Sequence, residues 1–495
     1  MVIFDLYFQA AIIKAEEVHK MINNSLVMIS NAEPYAHKYE NNQIVQEKQA
    51  GGLTTGLDPL MQNLDNSIWI AWARGEADFK VTDKNNSIKV PDENGYKLKR
   101  INLDKTEEDG FYYGFSNQTL WPICHNFITK ANFSPINWQI YKNVNKKYAK
   151  AALAEMNGDE MIWVQDYQLS LVPKYIKEKN PNAKIAHFWH IPWPPAEIFN
   201  IIPWRREILE SLLSNDLIGF HTESQAINFL ETAKKNGAKI NYNKNSNVLG
   251  IVEFNNHKTQ IAALPLGIDF AGLNKKSQSK EIIGRAKDLK KDYSASRLLV
   301  AVDRLDYTKG ITQRLQAVDK FLEKFPEYKE EITLIQRIAP SRVDIPEYED
   351  MEDEIDRTIG DINGRYQTAD WQPIVYYKGS VPQDELLPYF LAADAALITP
   401  LIDGLNLVSK EYIAIKENGQ LILSEFAGAA NQLKGAILTN PYDIEATAKA
   451  IAKAINPNDK VKKARYQQMY KIVKNQDINW WRDKFLKTWN DIYEK

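Results

Sequence analysis

The chain has a single cysteine, Cys124, in 495 residues. That excludes an internal disulfide and a cysteine-built zinc site, and it fits a reducing compartment. Neither charge is in excess: Lys and Arg total 62 against 64 Asp and Glu, a formal net charge of −2. The balance gives no footing to a nucleic-acid or acidic-membrane partner. No apolar run reaches the roughly 18 residues that a membrane-crossing helix needs. Residues 1–24 begin apolar but have no basic start, and Asp5, Gln9 and Lys14 interrupt them. They read as an accessory helix or an unstructured extension rather than a signal peptide. A soluble, cytoplasmic protein is the expectation. The motifs GxxxxGK[ST], GxSxG and HExxH are missing, and the seven histidines are scattered. A P-loop triphosphatase, a hydrolase elbow and a metal centre are therefore not expected.

Short apolar runs are abundant. They include SLVMIS (25–30), SIWIAW (67–72), MIWVQ (161–165), KIAHFWH (184–190) and DLIGFH (216–221). Later ones are LLVAV (298–302), ITLIQ (332–336), AALIT (395–399) and QLILS (420–424). Amphipathic helical patterns lie between them. Alternating strand and helix predicts an α/β protein with parallel sheets covered on both faces. There are too many strands for one sheet, and 495 residues exceed one ordinary core. LPLGIDFAGLNKKSQSKE (264–281) passes from apolar to polar and is read as the domain junction. In doubly wound domains the site lies at the carboxyl ends of the strands.

The informative residues follow apolar runs. After LLVAV come Arg304 and Lys309; after ITLIQRIAP comes Arg342; after AALITP come Asp403, Gly404 and a predicted helix, NLVSKEYIAIKE. A helix start beside glycine offers free N–H groups to phosphate, and Arg with Lys makes a diphosphate grip. Glu411, inside that helix, suits the paired hydroxyls of a ribose. Any one of these alone is equally a surface cation or a solvated helix end; three strand ends sharing the pattern favour phosphate. In the other half, Gly51 and Gly52 allow close approach of backbone to a ligand, or form a plain turn. Asp166 and His190 end strands. Tyr112, Tyr113 and Trp121, on a loop and helix start, suit the wall of a sugar site or ordinary packing.

Eight stretches, in order, carry a resemblance: AGGL, VQDYQL, HFWHIPWPPAEIF, GFHT, VDRLDYTKG, IAPSR, DGLNLVSKEY and LSEFAGAANQL. Together they resemble the trehalose-6-phosphate synthase family of glycosyltransferases, over roughly residues 25 to 485. The resemblance implies a GT-B fold, two Rossmann-like doubly wound domains facing across a cleft. It implies an extension at 1–24, an acceptor domain at 25–268, a nucleotide-sugar domain at 269–474, and a helix at 475–495 that crosses back. The implied reaction moves glucose from UDP-glucose to glucose 6-phosphate with retention, without a cofactor or metal.

Carried over by position, Arg304 and Lys309 bind the diphosphate, with Leu407 and Val408 main chain, beside Gly404. Glu411 takes the ribose and Val381 holds the base. Gly51 and Gly52 lie near donor and acceptor, and Asp403 and His190 contact the transferred sugar. Tyr112, Trp121, Asp166 and Arg342 form the acceptor site. Small-molecule substrates, no nucleic acid and no membrane are implied, with a homo-oligomer left open. The chain also departs from the family. Ala32, in SNAEPY, stands where the family has an acceptor-phosphate arginine; Ile402 precedes Asp403 in place of arginine; Gln165 and Gln168 replace histidines. Lys38 or Lys48 is a candidate to compensate for Ala32. The EPY after the first strand also resembles glucosylglycerol-phosphate synthases, which use glycerol 3-phosphate. A weakly catalytic, sugar-phosphate-binding regulatory paralogue is the third alternative.

Overall fold

A computed structural model describes residues 25–494, except 50–51, 65, 157, 159, 244–245, 294, 343–345 and 457. The extension 1–24 and Gly51 lie outside the described residues. Contacts divide the chain into two units, 1–265 with 479–495, and 266–478.

In the first unit the run SLVMIS forms β1 (Ser25–Ala32), buried from Leu26 to Asn31. A strand covered on both faces has no solvent side, so apolar residues fill it without alternation. β2 (Tyr35–Glu40) and β3 (Gln43–Lys48) form a separate hairpin. The main sheet adds β4 (Asn66–Trp72), β5 (Ser87–Val90), β6 (Tyr96–Ile101), β7 (Met161–Gln165), β8 (Lys184–Phe188), β9 (Leu217–Phe220), β10 (Lys239–Tyr242), β11 (Val248–Phe254) and β12 (His257–Ala263). Its order is β10-β11-β12-β9-β8-β7-β1-β4-β6-β5. The strands from β12 to β6 are parallel, and antiparallel strands finish both edges. The final helix, α1 (Ile478–Tyr493), joins this unit from Asn479 onward. Its Phe485 ring stacks on Trp163 of β7 at 4.2 Å, and Trp481 Nε1 donates to Leu264 O at 3.1 Å.

The second unit has six parallel strands: β13 (Arg297–Arg304), β14 (Ile332–Ala339), β15 (Ile374–Lys378), β16 (Ala395–Ile398), β17 (Gln420–Ser424) and β18 (Ile437–Thr439). Their order, β15-β14-β13-β16-β17-β18, is the 3-2-1-4-5-6 order of the dinucleotide-binding fold. The order reverses between β13 and β16, where Leu299 pairs with Ala395. Arg314, fully buried in the helix Ile311–Lys324, locks this region. Its guanidinium donates to Asp303 of β13, to Gln336 of β14 at 3.0 Å, and to Thr399 after β16 at 3.2 Å. No helix among the described residues is long and apolar enough to cross a membrane.

Candidate active site

The reversal point of the second unit gathers the residues that the sequence singled out there. Arg304 closes β13, exposed at the strand's carboxyl end. A single turn, Tyr307–Lys309, follows, capped by Asp306, whose carboxylate accepts from Thr308 N at 2.9 Å. Gly310 ends the turn at φ 61°, and a Cβ there would meet Thr399 O at 2.7 Å. Backbone sense and close approach thus both require glycine. The turn aims Lys309 so that Nζ donates to Asp403 Oδ2 at 2.7 Å. Asp403 also accepts from Leu405 N and Asn406 Nδ2, each at 3.2 Å.

Arg342 donates to Asp306 Oδ2 at 2.5 Å and to Tyr348 OH at 2.5 Å. Burial by itself would raise the Asp306 carboxyl. The charges of Arg342, Lys309 and Arg304 outweigh it and hold the group well below the usual carboxylate range. Arg304, Lys309 and Arg342 therefore surround the ionised carboxylate of Asp306, and Lys309 also meets Asp403. Three basic side chains thus gather at the strand ends around Asp306 and Asp403.

Asn406 starts the helix Leu407–Ile415 at φ 79°, and its Oδ1 accepts from Ser409 N at 3.0 Å. The first-turn amides of Leu407 and Val408 have no acceptor within the helix, which leaves a polarised N-terminus for an anion. One turn on, Glu411 Oε1 accepts from Gln383 Nε2 at 2.8 Å. Burial pushes the Glu411 carboxyl up to about 7, with the Gln383 bond acting against it. Gln383 opens the helix Gln383–Ala392, two residues after half-buried Val381, so the Val381 loop and Glu411 are tied together. Neighbouring Lys410 is buried, donates to Leu266 O at 2.6 Å, and is brought down to about 7 by burial.

In the first unit β7 and β8 pair in register, Gln165 with Phe188, which brings Asp166 and His190 together. Asp166 sits at φ 69°, a backbone region costly for a non-glycine residue and one that recurs at functional sites. Its Oδ1 accepts from His190 N at 3.1 Å, and Gln165 Oε1 faces His190 Nε2 at 2.9 Å. Burial, then nearby His221 and His187, hold His190 well below the ordinary histidine value, so its ring is neutral. Neutrality together with the Gln165 carbonyl assigns the ring proton to Nε2.

The sequence places Tyr112 on a loop and Trp121 at a helix start. The structure corrects the first: Asp109–Leu120 is a π-helix that continues the helix Lys105–Glu108 into Trp121–Cys124. Glycine hides this helix from sequence reasoning, because it normally breaks helical patterns. Here Gly110 and Gly114 let the turn press against Pro135–Glu155, where a Cβ would meet Ile140 at 2.4 Å and Asn137 at 2.5 Å. Trp121 is buried against His125 and Tyr167, and Tyr167 OH donates to Asn117 Oδ1 at 2.8 Å. The π-helix is thereby anchored to the residue after Asp166. Arg342, expected with Tyr112, Trp121 and Asp166, belongs to the second unit. Gly52 opens the helix Gly52–Gln62.

Lys38 pairs with Glu40 and Glu47, and Lys48 donates to buried Asp58 at 2.6 Å, so both candidate compensators for Ala32 already have carboxylates. Beside Ala32, buried Arg100 donates to Glu33 Oε2 at 3.0 Å and lies 2.8 Å from Asp78 Oδ1. Burial, with Asp78 close by, pushes the Glu33 carboxyl up to about 8. Sequence reasoning missed Asp306, Asn406 and Gln383, whose partners are distant or depend on backbone sense. Among the described residues no group of three His, Cys, Asp or Glu side chains is arranged to hold a metal ion.

Comparison with known proteins gives consistent matches. A model of glycosyltransferase family 20 matches residues 24–491. The trehalose-6-phosphate synthase of Mycolicibacterium smegmatis is 38% identical over 448 residues, 89% of this chain and 87% of that relative. The bifunctional trehalose-6-phosphate synthase/phosphatase of Thermoproteus tenax is 35% identical over 452 residues, and the match spans 60% of its length. Among solved structures, the E. coli protein bound with UDP-2-fluoro glucose superposes with a TM-score of 0.83 at 30% identity, covering 94% of this chain and 99% of that one. The α,α-trehalose-phosphate synthase (UDP-forming) of Burkholderia xenovorans in complex with glucose-6-phosphate gives 0.83 at 28% identity, with the same coverage.

Proposed function

We propose that this chain, which belongs to glycosyltransferase family 20, moves glucose from UDP-glucose to glucose 6-phosphate, giving α,α-trehalose 6-phosphate and UDP. The observation that carries this reading is the cation cluster at the reversal point, with Lys309 held by Asp403 at 2.7 Å. As the glucosyl C1–O bond lengthens, negative charge gathers on the departing diphosphate. Arg304 and Lys309 meet it with donors already in place, the kind of preorganisation that lowers a barrier most. The amides of Leu407 and Val408, beside Gly404, add the helix dipole. Glu411, steadied by Gln383, accepts the ribose hydroxyls, and the main chain at Val381 holds the base.

Asp403 and His190 contact the glucose hydroxyls; a neutral His190 suits that role because it binds a hydroxyl without introducing charge. Gly51 and Gly52 approach the donor, and Tyr112, Trp121, Asp166 and Arg342 bind the acceptor. The acceptor hydroxyl enters on the face that UDP leaves, which retains the α configuration. Its proton passes to a leaving phosphate oxygen as the new C1–O bond forms and the old electron pair departs with UDP. In this reading the two side-chain cations do the work a metal would do, so none is required. Soluble, cytoplasmic action on small molecules alone completes the reading.

The test is UDP release from UDP-glucose with each acceptor. Rapid release with glucose 6-phosphate is expected. Release only with glycerol 3-phosphate replaces the acceptor, and tight UDP binding with no release under any acceptor leaves a regulatory binder.

A further inference from the structure

β1 and β4 run parallel as neighbours, and Ala32 pairs with Trp72. Two residues past Trp72 lies Arg74, exposed. Its guanidinium carbon sits 4.2 Å from the Trp72 ring centre and 4.8 Å from that of Tyr112, and the two rings are 5.7 Å apart. Ring faces hold a guanidinium through its charge and leave its N–H groups in the plane unused. Among the described residues no carboxylate forms an ion pair with Arg74, and no acceptor takes its side-chain donors.

Its neighbour Arg100 is the opposite case. That guanidinium is buried and fully engaged by Glu33, Asp78, the carbonyls of Asp78 and Tyr35, and His37. The Glu33 carboxyl accepts from the main-chain N–H of Arg74, not from its guanidinium. Glu33 and Asp78 are both taken up by Arg100, and neither forms an ion pair with the Arg74 guanidinium.

We propose that Arg74, propped on Trp72 and Tyr112, binds the phosphate of the acceptor sugar phosphate in place of the cation that Ala32 cannot supply. The inference rests on the functional reading above, through Tyr112 as an acceptor contact. A planar fork with free donors fits a phosphate monoester dianion in two parallel hydrogen bonds. The guanidinium reaches the same strand-end edge from β4 that a side chain at position 32 reaches from β1. Specificity for a phosphorylated over a plain sugar then resides in Arg74.

Steady-state kinetics on the full chain tests this, with glucose 6-phosphate and with unphosphorylated glucose as acceptors. Arg74→Gln is expected to raise the KM for glucose 6-phosphate by about tenfold or more. The KM for UDP-glucose and the kcat/KM with glucose should stay within about twofold of wild type. Arg74→Lys should recover part of the loss, because charge returns without the fork. Ala32→Arg placed in the Arg74→Gln background should recover more. A wild type that turns over glucose 6-phosphate, with an Arg74→Gln KM within about twofold of it, overturns the role of Arg74 and leaves the enzyme reading intact. A wild type inert towards glucose 6-phosphate removes both. Equal losses with glucose and glucose 6-phosphate reduce Arg74 to a structural prop and overturn the proposal.

Discussion

Lys309 and Glu411 show how burial and partners set what a single side chain offers. Lys309 is nearly enclosed, and its Nζ is held in place by Asp403, which accepts from it at 2.7 Å. In the proposed reaction the leaving diphosphate meets a side chain that is already oriented. Lys309→Ala should lower kcat for UDP release by about 10²- to 10³-fold, with the KM for glucose 6-phosphate changed less than about threefold; a near-normal kcat removes the residue from the chemistry. Glu411 has a carboxyl raised to about 7 by burial, while a ribose is best bound by the ionised form. Raising the pH through 7 ionises it, so UDP affinity should climb between pH 6 and 8 and then level off. Lowering the pH through 7 should weaken UDP binding by at most about tenfold per unit. Calorimetric titration with UDP, run beside Glu411→Gln, checks this: the variant should bind weakly at every pH, with that slope gone.

Elements position these side chains, and the least regular stretches matter most. The helix Leu407–Ile415 depends on Asn406, which combines φ 79° with a cap on Ser409 N and a bond to Asp403. Asn406→Ala should lose the cap, roughly 1 kcal/mol, and also the local side-chain hydrogen bonding that lets asparagine sit at positive φ, while keeping the strained Cβ. Asn406→Gly should be milder, since glycine accepts that backbone and serves passably as a cap. Thermal unfolding of the two variants gives the order; equal losses count against the strain argument. Buried strands such as β13 and β16 were legible as plain apolar runs. The edge strands β3 and β10 and the hairpin partner β2 were not, because QIVQEK and KINY are exposed and mostly polar. The π-helix was unreadable for a related reason, since its glycines are explained by a distant helix.

At the scale of the whole molecule, chain order and spatial order part company. The second unit interrupts the first, which is completed by α1 from the end of the chain. Phe485 of α1 stacks on Trp163 at 4.2 Å and 10°, fully buried. Phe485→Ala should destabilise the first unit by about 3–5 kcal/mol while UDP binding by the second unit persists. Limited proteolysis with and without UDP reads this: early cuts within 25–265 are expected, with 266–478 resistant. Loss of UDP binding as well would contradict it.

The sequence by itself determined the α/β class and the family, and it singled out Arg304, Lys309, Asp403 and Glu411 as the proposed donor residues, because apolar runs, turn residues and motifs are local patterns. Only the tertiary structure decided that Lys309 meets Asp403, 94 positions away, at the reversal of a 3-2-1-4-5-6 sheet. It alone set Arg74 between Trp72 and Tyr112. Such pairings follow from strand register and simultaneous packing of every neighbour, which no local stretch of residues encodes.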